Sequence, residues 1–479
     1  MSEDNLKHKT KKGLYWQAAN HFSNYGIQFI VGVVMARLLS PVDYGITALP
    51  AVFMAVAGLF ASGGFGTAMV RKSELKEEDL ATAFYYSLGV GIICYVILFF
   101  VSPWIADFYN TPVLTPLIRI TALGFIYGSI GTPQNIILTR RLDFKTPTKI
   151  GVVCKIIGGI IGIAMAYYGF GIWALAISGM ISGIMGLIMN WYVVRWYPKT
   201  GWSKVSFQYL WGFGNKFMAS QLLNTVYENI APIIIGKYYS PADLGIYNRA
   251  QSYAALPSQG IYGIVNSVTF PVMSKLQHDN ALLAHEYRRM LKVTAFVVFP
   301  VMTLLAGVAR PLIILMLTAK WEACIILLQI LCFSLMWYPV HAINLNLLLV
   351  RGRSDYFLRL EIIKKVYGIV LLAVTLPFGI IVFCLGGFFF NIIGLVINTH
   401  YTGKLINCGF MAQMRDLLPS FTLSLLAFAL SFGLTFRFES LWAQLIVGGV
   451  SGACAYLGIA FILGREELQD VKYMLSRKS

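Results

Sequence analysis

The stretch SPVDYGI occupies Ser40 to Ile46, and SPADLGI occupies Ser240 to Ile246. Ser, Pro, Asp, Gly and Ile stand at the same places in both copies. A Ser-Pro-x-Asp segment ahead of an apolar run is typical of a turn leading into a helix. There the Asp carboxylate can accept hydrogen bonds from the first backbone N–H groups. Helix capping explains one copy, whereas two copies indicate that the chain repeats itself.

Further matches support an internal repeat. An offset of 200 also pairs Asn24 with Asn224, Gln28 with Glu228, and Arg37 with Lys237. Two further matches have slightly larger offsets. NIILTRRLDF at 135–144 resembles NLLLVRGRSDY at 346–356. The tripeptide FGI at 170–172 recurs at 378–380. Offsets that drift this little predict duplicated halves with small changes in loop length.

The composition is that of a membrane protein. Of 479 residues, 57% are hydrophobic and 12% are charged, against roughly 25% charged in a soluble domain. Apolar stretches of about twenty residues, long enough to cross a hydrocarbon core, recur along the chain. The net charge of +17 comes from cations between these stretches, which indicates topology signals and not a nucleic-acid surface. The sequence therefore predicts an all-α polytopic membrane protein.

The apolar stretches divide the chain into fourteen predicted spans. Each half contains six, and two remain at the C-terminal end. The predicted organisation is an N-terminal lobe at 1–194, an amphipathic interfacial linker at 195–212, a C-terminal lobe at 213–402, and two further spans with a basic tail at 403–479. The predicted spans are 14–38, 43–70, 80–102, 113–138, 149–169, 171–194, 213–237, 242–270, 292–309, 324–350, 360–378, 380–402, 418–436 and 441–463.

Lys and Arg residues predict the orientation. With a cytoplasmic N-terminus, most of the 38 Lys and Arg fall in cytoplasmic segments, as the positive-inside rule requires. This assignment counts Lys364 and Lys365 as cytoplasmic loop residues. An even number of spans in the first half gives both halves the same orientation, with both chain termini in the cytoplasm. Parallel repeats of this kind place a transport site near mid-membrane at their interface.

Polar residues inside the spans are candidates for that site. They include two stripes at helical spacing and isolated charges, which are costly in a membrane and therefore functional hypotheses by default. Two alternatives stay open: Arg249 and Glu228 form a structural ion pair or act in transport, and Arg119 and Lys155 line a cavity or extend to an interface. The candidates are Asn24, Gln28, Asn224, Glu228, Arg249, Gln259, Arg119 and Lys155.

Signatures of catalysis are missing from the sequence. There is no GxxxxGK[ST] phosphate-binding loop. The seven Cys are scattered without metal-ligand spacing, which favours buried free thiols. Acidic residues in the predicted outer loops are too few for paired-carboxylate catalysis. We expect a protein that is not an enzyme and that needs no metal or cofactor.

Several short sequence segments resemble those of a known family. RRLDFK at 140–145, GFGIWAL at 169–175, YNRAQSYAALP at 247–257 and FPVMSKLQ at 270–277 resemble the polysaccharide-transport branch of the MOP (multidrug, oligosaccharidyl-lipid, polysaccharide) superfamily, the Wzx-type flippases. The resemblance covers nearly the whole chain. It implies movement of an undecaprenyl-diphosphate-linked oligosaccharide across the bacterial inner membrane for lipopolysaccharide, capsule or exopolysaccharide biosynthesis, by alternating access driven by an ion gradient.

The resemblance also implies roles for the candidate residues. Arg249, Arg119 and Lys155 would contact the diphosphate, and Glu228 would bind the coupling ion. The amides of Asn24, Gln28, Asn224 and Gln259 would meet sugar or water. A polysaccharide polymerase and glycosyltransferases would be partners. The alternatives are a drug/cation antiporter of the same superfamily and, from another class, a membrane oligosaccharide polymerase or ligase, although the sequence lacks the large outer loop of those enzymes.

Overall fold

A computed structural model gives the structure of the chain. It describes residue 16, residues 23–24 and residues 26–470, without the side chains at 216 and 217. The predicted cytoplasmic tails at 1–13 and 471–479 therefore lie outside the described residues. Within the described part, every regular element is a helix and no strand is present. The predicted all-α fold is confirmed.

Both copies of the repeated motif begin a helix in the same way. The Ser40 backbone N–H donates to the Asp43 carboxylate at 2.8 Å, and the Asp43 N–H donates to the Ser40 hydroxyl at 3.3 Å. Ser240 and Asp243 make the same reciprocal pair, at 3.1 Å each. Two backbone donors that have no partner inside the helix are thereby satisfied at each start. The capping inferred from the motif is confirmed at both places.

The chain divides into two compact units, Met1–Gly245 and Ile246–Ser479. The first unit therefore ends inside a helix, just after the second copy of the motif. In the first unit the longest helix, α5, packs along α3, α6 and α7, and α9 packs along α10. Its helices are α1 (Gly26–Leu38), α2 (Pro41–Ala48), α3 (Ala51–Ser62), α4 (Phe65–Arg71), α5 (Glu77–Phe108), α6 (Leu114–Thr121), α7 (Gly124–Ile130), α8 (Thr132–Arg140), α9 (Lys145–Tyr167), α10 (Ile172–Val194), α11 (Lys204–Glu228), α12 (Ile230–Tyr238) and the start of α13 (Pro241–Lys275).

The segment between the predicted lobes is not a separate helix. After α10 the chain is extended as far as Ser203, and α11 then runs without interruption through the predicted boundary at 212. The extended part is held on α5, where the Trp196 indole N–H donates to the Glu77 carboxylate at 3.0 Å and the Ser203 N–H donates to the Thr82 hydroxyl at 3.0 Å. Aromatic rings at the start of α11 stack beside them, including Phe207 on Trp211.

In the second unit the two C-terminal helices pack onto the rest of the lobe. The helix α20 lies along both α14 and α21, and the Tyr456 hydroxyl donates to the Phe296 carbonyl at 2.9 Å. The unit contains the remainder of α13, then α14 (Asn280–Gly307), α15 (Ala309–Leu317), α16 (Cys324–Leu335), α17 (Tyr338–Val350), α18 (Ser354–Thr375), α19 (Ile380–Ile406), α20 (Phe410–Thr435) and α21 (Leu441–Ile462).

The later repeat anchors also have equivalent structural roles. Arg140, at the end of α8, donates to the carbonyls of Met69 and Ser73, each at 2.8 Å, and so closes the turn after α4. Arg351, just after α17, donates to the Gln277 carbonyl at 2.6 Å and to the Asn280 side chain, closing the turn after α13. The repeat detected in the sequence therefore extends to the side-chain contacts.

Membrane-crossing helices account for most of the predicted spans. Among the described residues, nine helices or helix runs are long and apolar enough to cross a membrane, and a tenth pair, Leu114–Ile130 with Thr132–Arg140, is bent by 45°. The helices at predicted spans 7, 8 and 11 are not among them, and the first span is only partly described. Spans 1, 7 and 8 carry six of the eight predicted site residues, whereas Arg119 and Lys155 belong to spans 4 and 5.

The seven cysteines are free, as expected, and six of them are buried. Cys454 differs, because it lies on an exposed face of α21. Among the described residues, no group of three His, Cys, Asp or Glu side chains could hold a metal ion.

Candidate transport site

The polar stripe on α11 has exposed side chains. Ser220, Asn224 and Glu228 follow one another at steps of four residues and all three are exposed. The helix ends at Glu228, and the Asn229 side chain, directly after it, donates to the Thr225 carbonyl at 2.8 Å. Polar groups that faced acyl chains at this depth would have no hydrogen-bonding partner. The exposed stripe is therefore suited to a water-filled space, with a carboxylate at a helix break.

Lys155 lies in the middle of α9 of the first unit. It follows the first residue of the helix, Lys145, by ten positions, which is about 15 Å at the helical rise. Its side chain is half-buried. The helix α9 also packs tightly on α10 through Gly158 and Gly162, which lie against Ser178 and Ser182. Within the described part of the chain, the Lys155 ammonium has neither a hydrogen bond nor an ion pair.

The first span lies along α9 on the side of Lys155. A Cβ added to Gly151 would lie 3.5 Å from Asn24 Oδ1, and one added to Gly159 would press on Val31. Lys155 stands four residues from each glycine, so helical periodicity places it on the same side of α9, between these two contacts. Lys155 and the stripe of Asn24 and Gln28 therefore lie on two helices that pack against each other.

Arg119 has partners within the first unit. Its Nε donates to the Phe99 carbonyl and to the Ser102 hydroxyl, both at 3.2 Å, and its guanidinium lies 4.1 Å from the centre of the Phe99 ring. These contacts fasten α6 to α5. Both open alternatives for Arg119, a cavity position and an extended interfacial one, stay predictions, as does its role in binding.

Arg249 and Gln259 lie on α13 in the second unit, whereas Glu228 belongs to the first. Gln259 is exposed and Arg249 is half-buried. The binding roles of both residues stay predictions, as does the ion pair between Arg249 and Glu228.

One charged cluster is not predicted from the sequence. The count of cations places Lys364 in a cytoplasmic loop, but it lies inside α18, ten positions after Ser354. Its ammonium pairs with the Glu361 carboxylate at 2.5 Å. The signal was present in the repeat, because an offset of 209 pairs Lys364 with Lys155 and Gly368 with Gly159. The positive-inside rule placed Lys364 outside the helix, because a Lys near the predicted end of a span is counted as a loop residue.

A family comparison agrees with this architecture. Residues 34–326, more than half of the chain, match the model of a family described as "Polysaccharide biosynthesis protein". The chain belongs to this family. The matched residues run from the first span to the start of α16 and include both copies of the motif and the two stretches that hold Lys155 and Arg249.

Relatives of known role are similar along most of the chain. The teichuronic acid biosynthesis protein TuaB of Bacillus subtilis is 26% identical over 402 residues, which is 82% of this chain and 83% of that protein. The lipopolysaccharide biosynthesis protein WzxC of Escherichia coli is 24% identical over 365 residues, covering 75% of this chain and 73% of that protein. The resemblance to Wzx-type polysaccharide-transport proteins is confirmed by the family match and by these relatives.

A solved structure shares the fold. The chain is similar to the lipid II flippase MurJ in an inward closed conformation, with a TM-score of 0.74, 17% identity, and coverage of 95% of this chain and 100% of that one. A likeness at this identity establishes the polytopic helical architecture of a membrane protein. The candidate residues of this family member therefore lie in a polytopic helical fold that it shares with that structure.

Proposed function

We propose that the protein moves an undecaprenyl-diphosphate-linked oligosaccharide from the cytoplasmic to the outer leaflet of the bacterial inner membrane, as a step in surface polysaccharide biosynthesis. Membership of a polysaccharide biosynthesis family supports the pathway, and the flippase fold supports the type of reaction. The names of the relatives, which refer to teichuronic acid and to lipopolysaccharide, support a polymeric glycan as the product.

Lys155 is the observation that carries this proposal. A half-buried ammonium at the middle of a membrane helix, without a partner among the described residues, is costly unless an anion reaches it. The diphosphate of a lipid-linked oligosaccharide is such an anion, and charge-assisted hydrogen bonds to phosphate oxygens are strong. A drug/cation antiporter would instead need an anionic residue at that place.

The other candidates fit around the diphosphate and the sugars. Arg249 and Arg119 are proposed as further contacts to the diphosphate. The side-chain amides of the candidate residues are proposed to bind sugar hydroxyls or water, which both donate and accept hydrogen bonds. Those amides belong to Asn24, Gln28, Asn224 and Gln259.

Glu228 is proposed as the residue that couples transport to an ion gradient. Its carboxylate is exposed at the break between α11 and α12, and within the described residues it has no partner. A carboxylate at such a place is a suitable ligand for the coupling ion. We further propose cytoplasmic chain termini, alternating access, and cooperation with glycosyltransferases and a polymerase.

Deletion of the gene in its host tests the function. Surface polysaccharide should be lost while the lipid-linked oligosaccharide accumulates, and the wild-type gene should restore both. Lys155→Met should fail to restore them at normal protein levels, whereas Lys149→Met, an exposed lysine at the start of the same helix, should succeed. Unchanged surface polysaccharide together with a changed drug sensitivity would refute the flippase and favour an antiporter.

A further inference from the structure

A cavity with a cationic lining lies at one end of the helices α14, α20 and α21 of the second unit. Its volume is about 590 Å³. The first half of α14 contributes Arg288 and Lys292, the start of α20 contributes Arg415, and the segment directly after α21 contributes Arg465. The lining includes none of the eight candidate transport residues, so this cavity is a separate feature of the protein.

The cavity lies where three helices meet the predicted boundary of the membrane. The predicted ninth and thirteenth spans begin at 292 and 418, and the fourteenth ends at 463. Lys292, Pro419 and Leu463, which stand at or beside these three positions, all line the cavity. Three separately predicted boundaries therefore meet at one place. This indicates the level of the lipid head groups, on the side of the membrane that is proposed to be cytoplasmic.

Two of the cations are neutralised by carboxylates of the same lining. Arg288 donates to both oxygens of Asp416, at 2.7 and 2.8 Å. Arg465 donates to the Glu467 carboxylate at 2.9 Å. Both carboxylates are buried, so each ion pair is a fixed part of the wall. The charges of these four groups cancel, and the other charged groups of the lining decide what the cavity attracts.

The other two cations are Arg415 and Lys292. The Arg415 side chain is exposed, and within the described part of the chain its guanidinium has no hydrogen bond and no ion pair. The Lys292 ammonium lies 3.9 Å from the Asp416 carboxylate, which already accepts from Arg288. Glu466, the third carboxylate of the lining, is exposed. Four Lys and Arg side chains thus stand against three Asp and Glu side chains, which leaves the lining with a net positive charge.

One donor of Arg465 is buried and lacks an acceptor. Its Nη2 is bonded to Glu467, but its Nε has no hydrogen-bond partner among the described residues. A buried N–H group without an acceptor is unfavourable, and such a group in a native protein is often satisfied by a bound ion or water. An anion in the cavity would supply the missing acceptor.

Exposed apolar side chains lie on the membrane side of the cavity. Leu463, which belongs to the lining, is 61% exposed, and Ile462 before it is 81% exposed. On α20, Leu418 beside Pro419 is 56% exposed. The acyl chains of a lipid would cover these side chains while its phosphate lies among the cations. The arrangement therefore suits an anion that carries acyl chains, as basic pockets between membrane helices do.

We propose that this cavity binds the phosphate head group of an anionic phospholipid of the cytoplasmic leaflet, such as phosphatidylglycerol. The net positive lining favours an anionic head group over a zwitterionic one. The bound phosphate accepts from Arg415 and Arg465, and the lipid joins the ends of α14, α20 and α21. A ligand that binds only the folded protein also stabilises it. The inference does not depend on the proposed function, because the lipid is a resident of the site and is not transported.

The test titrates the full-length protein in a neutral detergent with phosphatidylglycerol and, separately, with phosphatidylcholine. Native mass spectrometry measures the affinity, and thermal unfolding measures the stabilisation. Phosphatidylglycerol should bind about fivefold more tightly than phosphatidylcholine, the factor expected for one charge at a membrane surface, and should raise the melting temperature more. Glycerol phosphate, which carries the phosphate without acyl chains, should neither compete with phosphatidylglycerol nor stabilise the protein at the same concentration.

Four variants locate the binding. Arg415→Gln and Arg465→Gln should each weaken phosphatidylglycerol binding about fivefold, whereas Glu466→Gln should strengthen it. Arg437→Gln is the matched control, because Arg437 is an exposed arginine at the opposite end of α20 and α21, and it should bind as the wild type does. Thermal unfolding without added lipid identifies any variant that fails to fold, and Arg415→Gln removes no contact within the described residues.

Three outcomes would overturn the proposal. Equal affinities for the two phospholipids would show that the charge of the lining selects nothing. Glycerol phosphate that binds as tightly as phosphatidylglycerol would assign the cavity to a soluble anion. Folded Arg415→Gln and Arg465→Gln variants that both bind phosphatidylglycerol as the wild type does would place the lipid elsewhere on the protein.

Discussion

Gly45 and Gly245 hold the two copies of the repeated motif in direct contact. A Cβ added to Gly45 would overlap the Pro241 carbonyl, and a Cβ added to Gly245 would overlap the Pro41 carbonyl. Each glycine therefore packs on the first residue of the other copy's helix. The contact is reciprocal, because the same two positions, Pro and Gly, meet from each copy. The motif occurs twice because each copy supplies one side of the same contact.

Substitution of either glycine should separate α2 from α13. We expect Gly45→Ala and Gly245→Ala each to lower the stability by about 1–3 kcal/mol, because a methyl group has no space there. Gly66→Ala is the matched control, since nothing lies within 4 Å of a Cβ at that helical position. Thermal unfolding of the purified variants gives the comparison, and equal melting temperatures for all three would contradict the close packing.

The two arginine contacts at the turns should be equivalent in energy. Arg140→Ala and Arg351→Ala each leave a part-buried carbonyl group, that of Met69 or of Gln277, without its charged donor, which should cost about 1–3 kcal/mol. Arg141→Ala provides the control, because Arg141 is exposed beside Arg140. The two losses should add in the double variant, since the sites share no partner. A large loss at one site with none at the other would mean that the repeats are not equivalent there.

The ion pair between α14 and α20 should hold the C-terminal helices in place. Arg288 donates to both oxygens of Asp416, at 2.7 and 2.8 Å, and Asp416 is only 4% exposed. Asp416→Asn should lower the stability by about 1–3 kcal/mol, an estimate reduced because the Arg288 side chain is itself half-exposed. Asp355→Asn, which removes the exposed partner of Arg353, should change the melting temperature very little. Similar losses in the two variants would argue against a special role for burial.

Cysteine labelling should reveal the orientation in the membrane. In a Cys454→Ser background, Glu74→Cys should react with an impermeant maleimide only after the cells are opened, and Glu439→Cys should react in intact cells. The other native thiols are buried. Burial also raises the pKa of Cys408 to about 11, so this thiol stays protonated and unreactive at neutral pH. The reverse labelling pattern would place both chain termini outside.

The pattern of spans and the internal repeat could be predicted from the sequence, because both depend on local composition. Apolar length determines whether a helix can cross a bilayer, and Ser40 and Asp43 cap their helix through neighbours three residues apart. For the same reason the stripe of Asn224 and Glu228 could be assigned to one helical face. Lys364 was misplaced because composition alone does not show where a helix begins, and α18 starts six residues before the predicted span.

Sequence by itself determined the helical class, the duplication, the family and the identity of most polar residues in the spans, since periodicity and charge act along the chain. Tertiary structure decided which of those residues have partners. Arg119 is bonded to α5, Lys155 has no partner among the described residues, and Lys364 is paired with Glu361 beside His341. Burial and pairing arise between helices far apart in sequence, and the energy of a charge in a membrane depends on those neighbours.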